Sequence, residues 1–211
     1  MEFRVFIESI KKRLEKPLPG VHSQLKMASM RRLIKDGKVV IPDDVRQGGV
    51  LALFYPTDGK IYMVFIKRTE YPGVHSGQIS FPGGGREASD KDMIDTALRE
   101  AEEEIGINRD AIVPIGKLTD LFIPPSNFLV TPIVGYANER PDFRSDPEEV
   151  ESILEVPIEE LLNELNILEK DITIFPAIRL KVPCFYVDGN VIWGATAMIL
   201  NELIDIIREE S

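Results

Sequence analysis

Apolar side chains recur at helical spacing in the stretch FPGGGREASDKDMIDTALREAEEEIGI, Phe81 to Ile107, and this pattern constrains the chain more than any other. Met93, Ile94, Ala97, Leu98, Ala101 and Ile105 fall on one side of a 3.6-residue helix, which fixes that side against a core. The carboxylates are thereby forced onto the remaining surface. Glu100 and Glu104 lie one turn apart with Glu103 beside them, while Glu102 projects the other way. Ser89 is the expected N-cap, Asp90 and Asp92 complement the helix dipole, and Gly106 supplies the terminator. Like charges at this spacing cost a few tenths of a kcal/mol per pair on an exposed helix. A divalent cation among them removes that cost, and magnesium suits the place because it takes oxygen ligands and shares them with phosphates. The alternative is a solvated acidic face.

Pro82-Gly83-Gly84-Gly85 leaves the backbone bare just before this helix, so main-chain groups there can approach a metal or a phosphate closely. It is not a Walker loop, because no Gly-Lys-Ser/Thr follows, and no Gly-x-Gly-x-x-Gly opens a dinucleotide-binding unit. With a formal net charge of −10, the chain as a whole repels phosphate backbones, which argues against nucleic-acid binding. A small polyanionic substrate therefore needs a local basic patch or a bridging cation. Cys184 is the only cysteine, so a disulfide framework is excluded and a small core residue is expected there. The N-terminal segment carries charges throughout and lacks the apolar run of a secretory signal. No stretch approaches the ~18 uninterrupted apolar residues of a membrane span, so a cytoplasmic protein is expected.

Phe3, Phe6, Ile7, Ile10 and Leu14 predict an opening amphipathic helix ended by Pro17 and Pro19. Residues 20 to 48 read as an extended connection wrapping the core, with Arg31 and Arg32 in a row. The expected organisation is a 1–48 segment packed on a 49–211 domain. Val50 to Tyr55 and Ile61 to Ile66 flank Asp58-Gly59, the pattern of a β-hairpin with buried strands. Gly77 to Phe81 is a short extended piece, and Ile112 to Leu121 and Phe128 to Tyr136 are two further strands. Asp146 to Asn166 reads as an acidic helix with Pro157 at a first helical position. Ile172 to Val187 and Val191 to Trp193 form a strand pair around Asp188-Gly189, and Ala195 to Glu209 is a last helix. The architecture expected is α/β, a mixed sheet with helices on both sides.

Arg99-Glu100-Ala101-Glu102-Glu103-Glu104-Ile105-Gly106-Ile107 resembles the second half of the Nudix box, Gly-x5-Glu-x7-Arg-Glu-U-x-Glu-Glu-x-Gly-U, where U is a bulky aliphatic residue. Ala101 is smaller than the pattern asks. In the first half, counted from Gly84, the acid position holds Asp90 instead of Glu, and the spacing to Arg99 is one residue longer. The resemblance implies an α/β/α sandwich and metal-dependent hydrolysis of a nucleoside diphosphate derivative with Mg²⁺ or Mn²⁺. By position, Glu100, Glu103 and Glu104 would hold the metal and Arg99 would orient the glutamates.

The flanks resemble the coenzyme A diphosphatase branch of that family. Arg68, Gly77 and Phe81-Pro82-Gly83-Gly84 match its additional signature, whereas Gly73 stands at the second arginine position and Thr69 where Ser or Ala is usual. On this resemblance Arg68 would contact a phosphate, a task that suits the guanidinium fork, and His75 would touch the adenosine part. Asp146-Pro147-Glu148-Glu149 would deliver a mobile base, with Glu149 preferred. Coenzyme A or its thioesters is the implied substrate. Two alternatives remain open: ADP-ribose or another nucleoside diphosphate derivative, and a nucleotide-sensing module without catalysis. The oligomeric state is not legible in the sequence.

Overall fold

The computed structural model describes residues 2–29, 34–35, 38–69, 77–175 and 178–209. The chain opens with α1 (Phe3–Leu14) and a short α2 (Gly20–Leu25), then a small hairpin of β1 (Ile34–Lys35) and β2 (Lys38–Val39). The central sheet is built from β3 (Arg46–Thr57), β4 (Lys60–Arg68), β5 (Ile79–Ser80), β6 (Gly83–Gly85), β7 (Val113–Lys117), β8 (Leu121–Ile123), β9 (Phe128–Tyr136) and β10 (Val150–Pro157). Its main path runs β10-β4-β3-β9-β7, with β5 on β4, β6 on β3 and β8 on β9. The β3–β9 pairing is parallel and the other pairings are antiparallel, so the sheet is mixed. Helix α3 (Met93–Ile105) lies between β6 and β7, and α4 (Ile158–Leu162) follows β10. A separate sheet of β11 (Ile167–Phe175), β12 (Ile178–Val187) and β13 (Asn190–Trp193) leads into α5 (Gly194–Glu209).

The unbroken apolar run of β3 is explained by burial of the sheet on both faces. Alternation sends Leu51, Leu53 and Tyr55 toward Ala97, Ala101 and Ile105 of α3. Ala52 and Phe54 face the other way, into the cluster holding Phe6, Ile7 and Ile10 of α1 and Leu200, Leu203 and Ile207 of α5. Helices thus cover both faces of one mixed sheet, the expected α/β/α arrangement. The Asp58-Gly59 and Asp188-Gly189 turns have both residues at positive φ (49° and 73°, 50° and 83°), the twist that two-residue hairpins require.

Several sequence expectations differ from what is observed. The segment expected as a helix from 146 to 166 forms β10, because the β4 edge from Tyr62 to Arg68 is available to pair with it. Only Ile158–Leu162 is α-helical there, and Pro157 caps it instead of occupying its first turn. The expected strand 112–121 divides into β7 and β8. β3 starts at Arg46, α2 interrupts the expected extended connection, and β11 extends the final sheet back to Ile167. Ile94 is exposed, whereas Ala97, Ala101 and Ile105 are buried as the stripe requires. Cys184 is buried. Arg31 and Arg32 lie outside the described residues.

Candidate active site

Helix α3 is held at both ends by its own sequence. Asp92, not Ser89, is the N-cap: its carboxylate accepts from the Ile94 and Asp95 N–H groups, each at 2.9 Å. Gly106 closes the other end at φ 66°. Strand β6 pairs with Gly48 to Val50 of β3 and so carries three glycines across the flank of α3. Gly83 has φ 147°, and a Cβ there would strike the Gly49 carbonyl. At Gly84 a Cβ would overlap the Glu100 carboxylate, so the missing side chain is what lets backbone and carboxylate meet.

Glu104 is 2% exposed and accepts from the Gly83 N–H at 2.8 Å and from Arg68 Nη1 at 3.0 Å. Arg68 ends β4, and its guanidinium also stands 3.9 Å from Glu149 Oε2. Glu149 precedes a strand, not the expected helix; it is exposed, and its carbonyl accepts from the Thr69 N–H at 3.0 Å. Arg99 donates to the Gly85 carbonyl, Glu100 and Glu103, each at 2.9 Å. Glu103 is therefore turned onto the outer side of Arg99, and Glu100 and Glu104 are the pair that face the glycine strand. Gly83, Gly84, Arg68 and Glu100 line one cleft. His75 lies outside the described residues.

The first acid of the box turns out to organise Arg99. Asp90 is buried and accepts from Arg99 Nε and Nη2 (2.9 and 3.1 Å), Thr96 Oγ1 (2.9 Å) and the Glu87 N–H (2.8 Å). The sequence placed Asp90 in the first turn of the helix and at the acid position of the box, without a partner for it. Its place at the acid position of the box was the available signal.

Burial pushes the Glu104 carboxyl up to about 7, against the pull of the Gly83 N–H and Arg68, while Glu100 and Glu149 push it further up. Burial also raises Glu100, opposed by Arg99. These desolvated oxygens carry negative charge that the two arginines do not fully offset, a donor set that fits a hard divalent cation. Among the described residues no three acidic, His or Cys side chains are already gathered as a metal cage. Magnesium asks for less, since it is ordinarily held by one or two carboxylates and several waters.

The cleft beside these groups has a volume of about 500 Å³. Its lining combines Arg68, Gly83 to Gly85 and Glu100 with the apolar Phe81, Phe128, Val130 and Ile199. Ser80 Oγ, in the same lining, is buried without a hydrogen-bond partner among the described residues. Sequence reading missed Ser80 and Phe128, which belong to unremarkable strand positions.

Crowded oxygen donors beside paired guanidiniums, in a cleft sized for a small molecule, define a hydrolase of phosphoric anhydrides that works with a divalent cation. The comparisons make the class specific. The model of the NUDIX domain matches residues 45–178. Over 141 residues the chain is 36% identical to "Uncharacterized Nudix hydrolase NudL" of Yersinia enterocolitica serotype O:8 / biotype 1B, covering 67% of this chain and 71% of that protein. The protein of the same name from Yersinia pestis (strain Pestoides F) is also 36% identical, with 67% and 70% covered. A crystal structure of a MutT/nudix family protein from Enterococcus faecalis superposes with a TM-score of 0.51 at 12% identity, covering 82% of this chain and 65% of that one. The chain belongs to the Nudix family and is a pyrophosphohydrolase of nucleoside diphosphate derivatives. Among the described residues no helix is long and apolar enough to cross a membrane.

Proposed function

We propose that the chain hydrolyses the diphosphate of coenzyme A or its thioesters, giving 3′,5′-ADP and 4′-phosphopantetheine or its acyl derivative, with Mg²⁺ or Mn²⁺. The observation that supports this reading best is the mixed lining of the cleft, in which Arg68, the glycine strand and Glu100 occur together with an apolar wall of Phe81, Val130 and Ile199. A diphosphate bearing a long arm with both polar groups and methyl-bearing carbons suits such a lining. The match of Arg68, Gly77 and Phe81 to Gly84 to the coenzyme A branch signature supports the same substrate.

On this reading Glu100 and Glu104 would hold the cation, with Glu103 joining them on leaving its ion pair with Arg99, and the cation would neutralise the diphosphate and lower the pKa of a water. Arg99, locked by Asp90, orients Glu100 and Glu103. Arg68 offers its remaining donors to a phosphoryl oxygen, and the bare backbone of Gly83 and Gly84 lets the diphosphate lie close. Glu149, exposed at the edge of the cleft near Arg68, takes a proton from the attacking water. The new P–O bond forms as the anhydride P–O bond breaks, and the leaving phosphate departs as an anion without needing a proton.

The test is incubation of the purified protein with coenzyme A and Mg²⁺ or Mn²⁺, with products resolved by chromatography. We expect 3′,5′-ADP, and Glu104→Gln should lower kcat at least ~100-fold while thermal melting shows a folded protein. ADP-ribose turned over with a higher kcat/KM than coenzyme A would move the substrate to the other nucleoside diphosphate derivatives. Binding of both without turnover in metal would leave a sensing module.

A further inference from the structure

A second cavity, of about 440 Å³, opens beside the cleft and is lined by Arg46, Gln47, Gly85, Arg86, Glu87, Ala88 and Phe128. Gly85 and Phe128 line both cavities, so the two are neighbours. Arg46 pairs in register with Phe128 across the parallel β3–β9 ladder, and its guanidinium lies 4.2 Å from the Phe128 ring centroid. A cation held over a ring face in this way keeps N–H donors available for an anion.

Arg86 follows β6 directly, and its backbone N–H donates to the Gln47 carbonyl at 2.9 Å. Its side chain meets neutral acceptors at long range: Gln47 Oε1 at 3.4 Å and the carbonyls of Asp90 and Lys91 at 3.4 and 3.5 Å. Among the described residues neither Arg46 nor Arg86 has a carboxylate within ion-pair distance. Arg68, which lines the adjoining cleft, and Arg99 on α3 each do. The carboxylate in this lining, Glu87, takes a 3.4 Å hydrogen bond from Ser89 instead. In a chain of net charge −10, two uncompensated guanidiniums facing one cavity next to a diphosphate site form a local field for a polyanion.

We infer that Arg46 and Arg86 form a subsite for a phosphate monoester that the substrate carries in addition to its diphosphate. The inference rests on the adjoining cleft being the diphosphate site. It assigns the 3′-phosphate of coenzyme A to this cavity and makes that group a determinant of substrate choice, which ADP-ribose and dephospho-coenzyme A lack.

Calorimetric binding of 3′,5′-ADP and of 5′-AMP to the full chain in EDTA tests this without turnover. The wild type should bind 3′,5′-ADP roughly tenfold or more tightly than 5′-AMP, the worth of a charge-assisted hydrogen bond. In the double variant Arg46→Gln/Arg86→Gln the ratio should fall to near one, while Lys60→Gln, exposed at the start of β4 and outside both linings, keeps it. Both arginines are exposed, so the variants should melt with the wild type. Equal affinities in the wild type, no measurable binding of either ligand, or a ratio that survives the double substitution would overturn the subsite. If the ratio behaves as expected and coenzyme A is not hydrolysed, the substrate assignment fails and the subsite stands. If coenzyme A is hydrolysed and the ratio is one, the reverse holds.

Discussion

Asp90 sits at a junction that couples stability to the site. Its two oxygens take four hydrogen bonds, two of them from Arg99, and Arg99 in turn grips Gly85, Glu100 and Glu103. Asn in its place keeps one acceptor oxygen and loses the charge, so Asp90→Asn should cost about 1–3 kcal/mol and lower kcat by releasing Arg99. The hydrogen bonds from Arg99 hold the Asp90 carboxyl well below the usual carboxylate range, against its burial. A folded-state pKa below the unfolded value of about 3.9 adds stability that is fully present above that pH and is lost as pH falls through the folded value. The stability gap between wild type and Asp90→Asn should therefore be widest at neutral pH and narrow below about pH 4. Urea unfolding at pH 7 and pH 3 measures it, and an unchanged gap would remove the charge of Asp90 from the account. The sequence could present Asp90 as the first acid of a family pattern. It could not show that four donors converge on it, because Glu87, Thr96 and Arg99 come together only through the turn that precedes α3.

At the scale of elements, α3 was legible from two local signals, the apolar stripe and the glycine stop, while its cap, expected at Ser89, lies at Asp92. The first signal placed Ala97, Ala101 and Ile105 in the core, and with them the direction of Glu100 and Glu104. β10 was not legible, because its acidic residues suit a helix and only the free edge of β4 makes them a strand. The short β6 is where sequence and geometry separate two adjacent glycines that look equivalent. Gly83 has a φ that side chains rarely adopt and meets fixed backbone at Gly49, whereas Gly84 meets only the movable end of Glu100. Gly83→Ala should thus destabilise the fold, by about 1–3 kcal/mol. Gly84→Ala should leave the melting temperature within a few degrees while lowering kcat at least ~10-fold, since the new methyl displaces the Glu100 carboxylate. Melting curves and single-turnover rates on both variants distinguish them. Equal losses of stability would contradict this division of labour.

Across the whole molecule, the N-terminal segment shares its core with the catalytic domain. Phe6 packs edge-on against Phe54 of β3 with ring centroids 5.1 Å apart, so α1 covers the sheet face opposite α3. The polar half of the docking centres on Glu202 of α5, which is fully buried and accepts from the Gly20 N–H (3.1 Å), Gln24 Nε2 (2.9 Å) and Thr119 Oγ1 (2.7 Å). One turn away, Ser23 and Lys26 each donate to Asp205 at 2.7 Å. None of this was visible in a sequence where α2 lacks an apolar stripe and Glu202 reads as a surface acid on a helix. Its consequence reaches the cleft, because the same helix carries Ala195, Thr196 and Ile199 into the cleft lining. Glu202→Ala strands the Thr119 hydroxyl, the Gly20 N–H and one of the two Gln24 amide hydrogens, the other staying on the Thr119 carbonyl, at a cost of about 2–3 kcal/mol, or about 5–10 °C in Tm for a domain of this size. A loosened α5 should also raise KM for a substrate that uses the apolar wall more than it lowers kcat, since Glu202 lies outside the cleft lining. A lower Tm with unchanged KM would confine the N-terminal docking to stability. An equal fall in kcat and kcat/KM would instead place α5 in the positioning of the reacting groups.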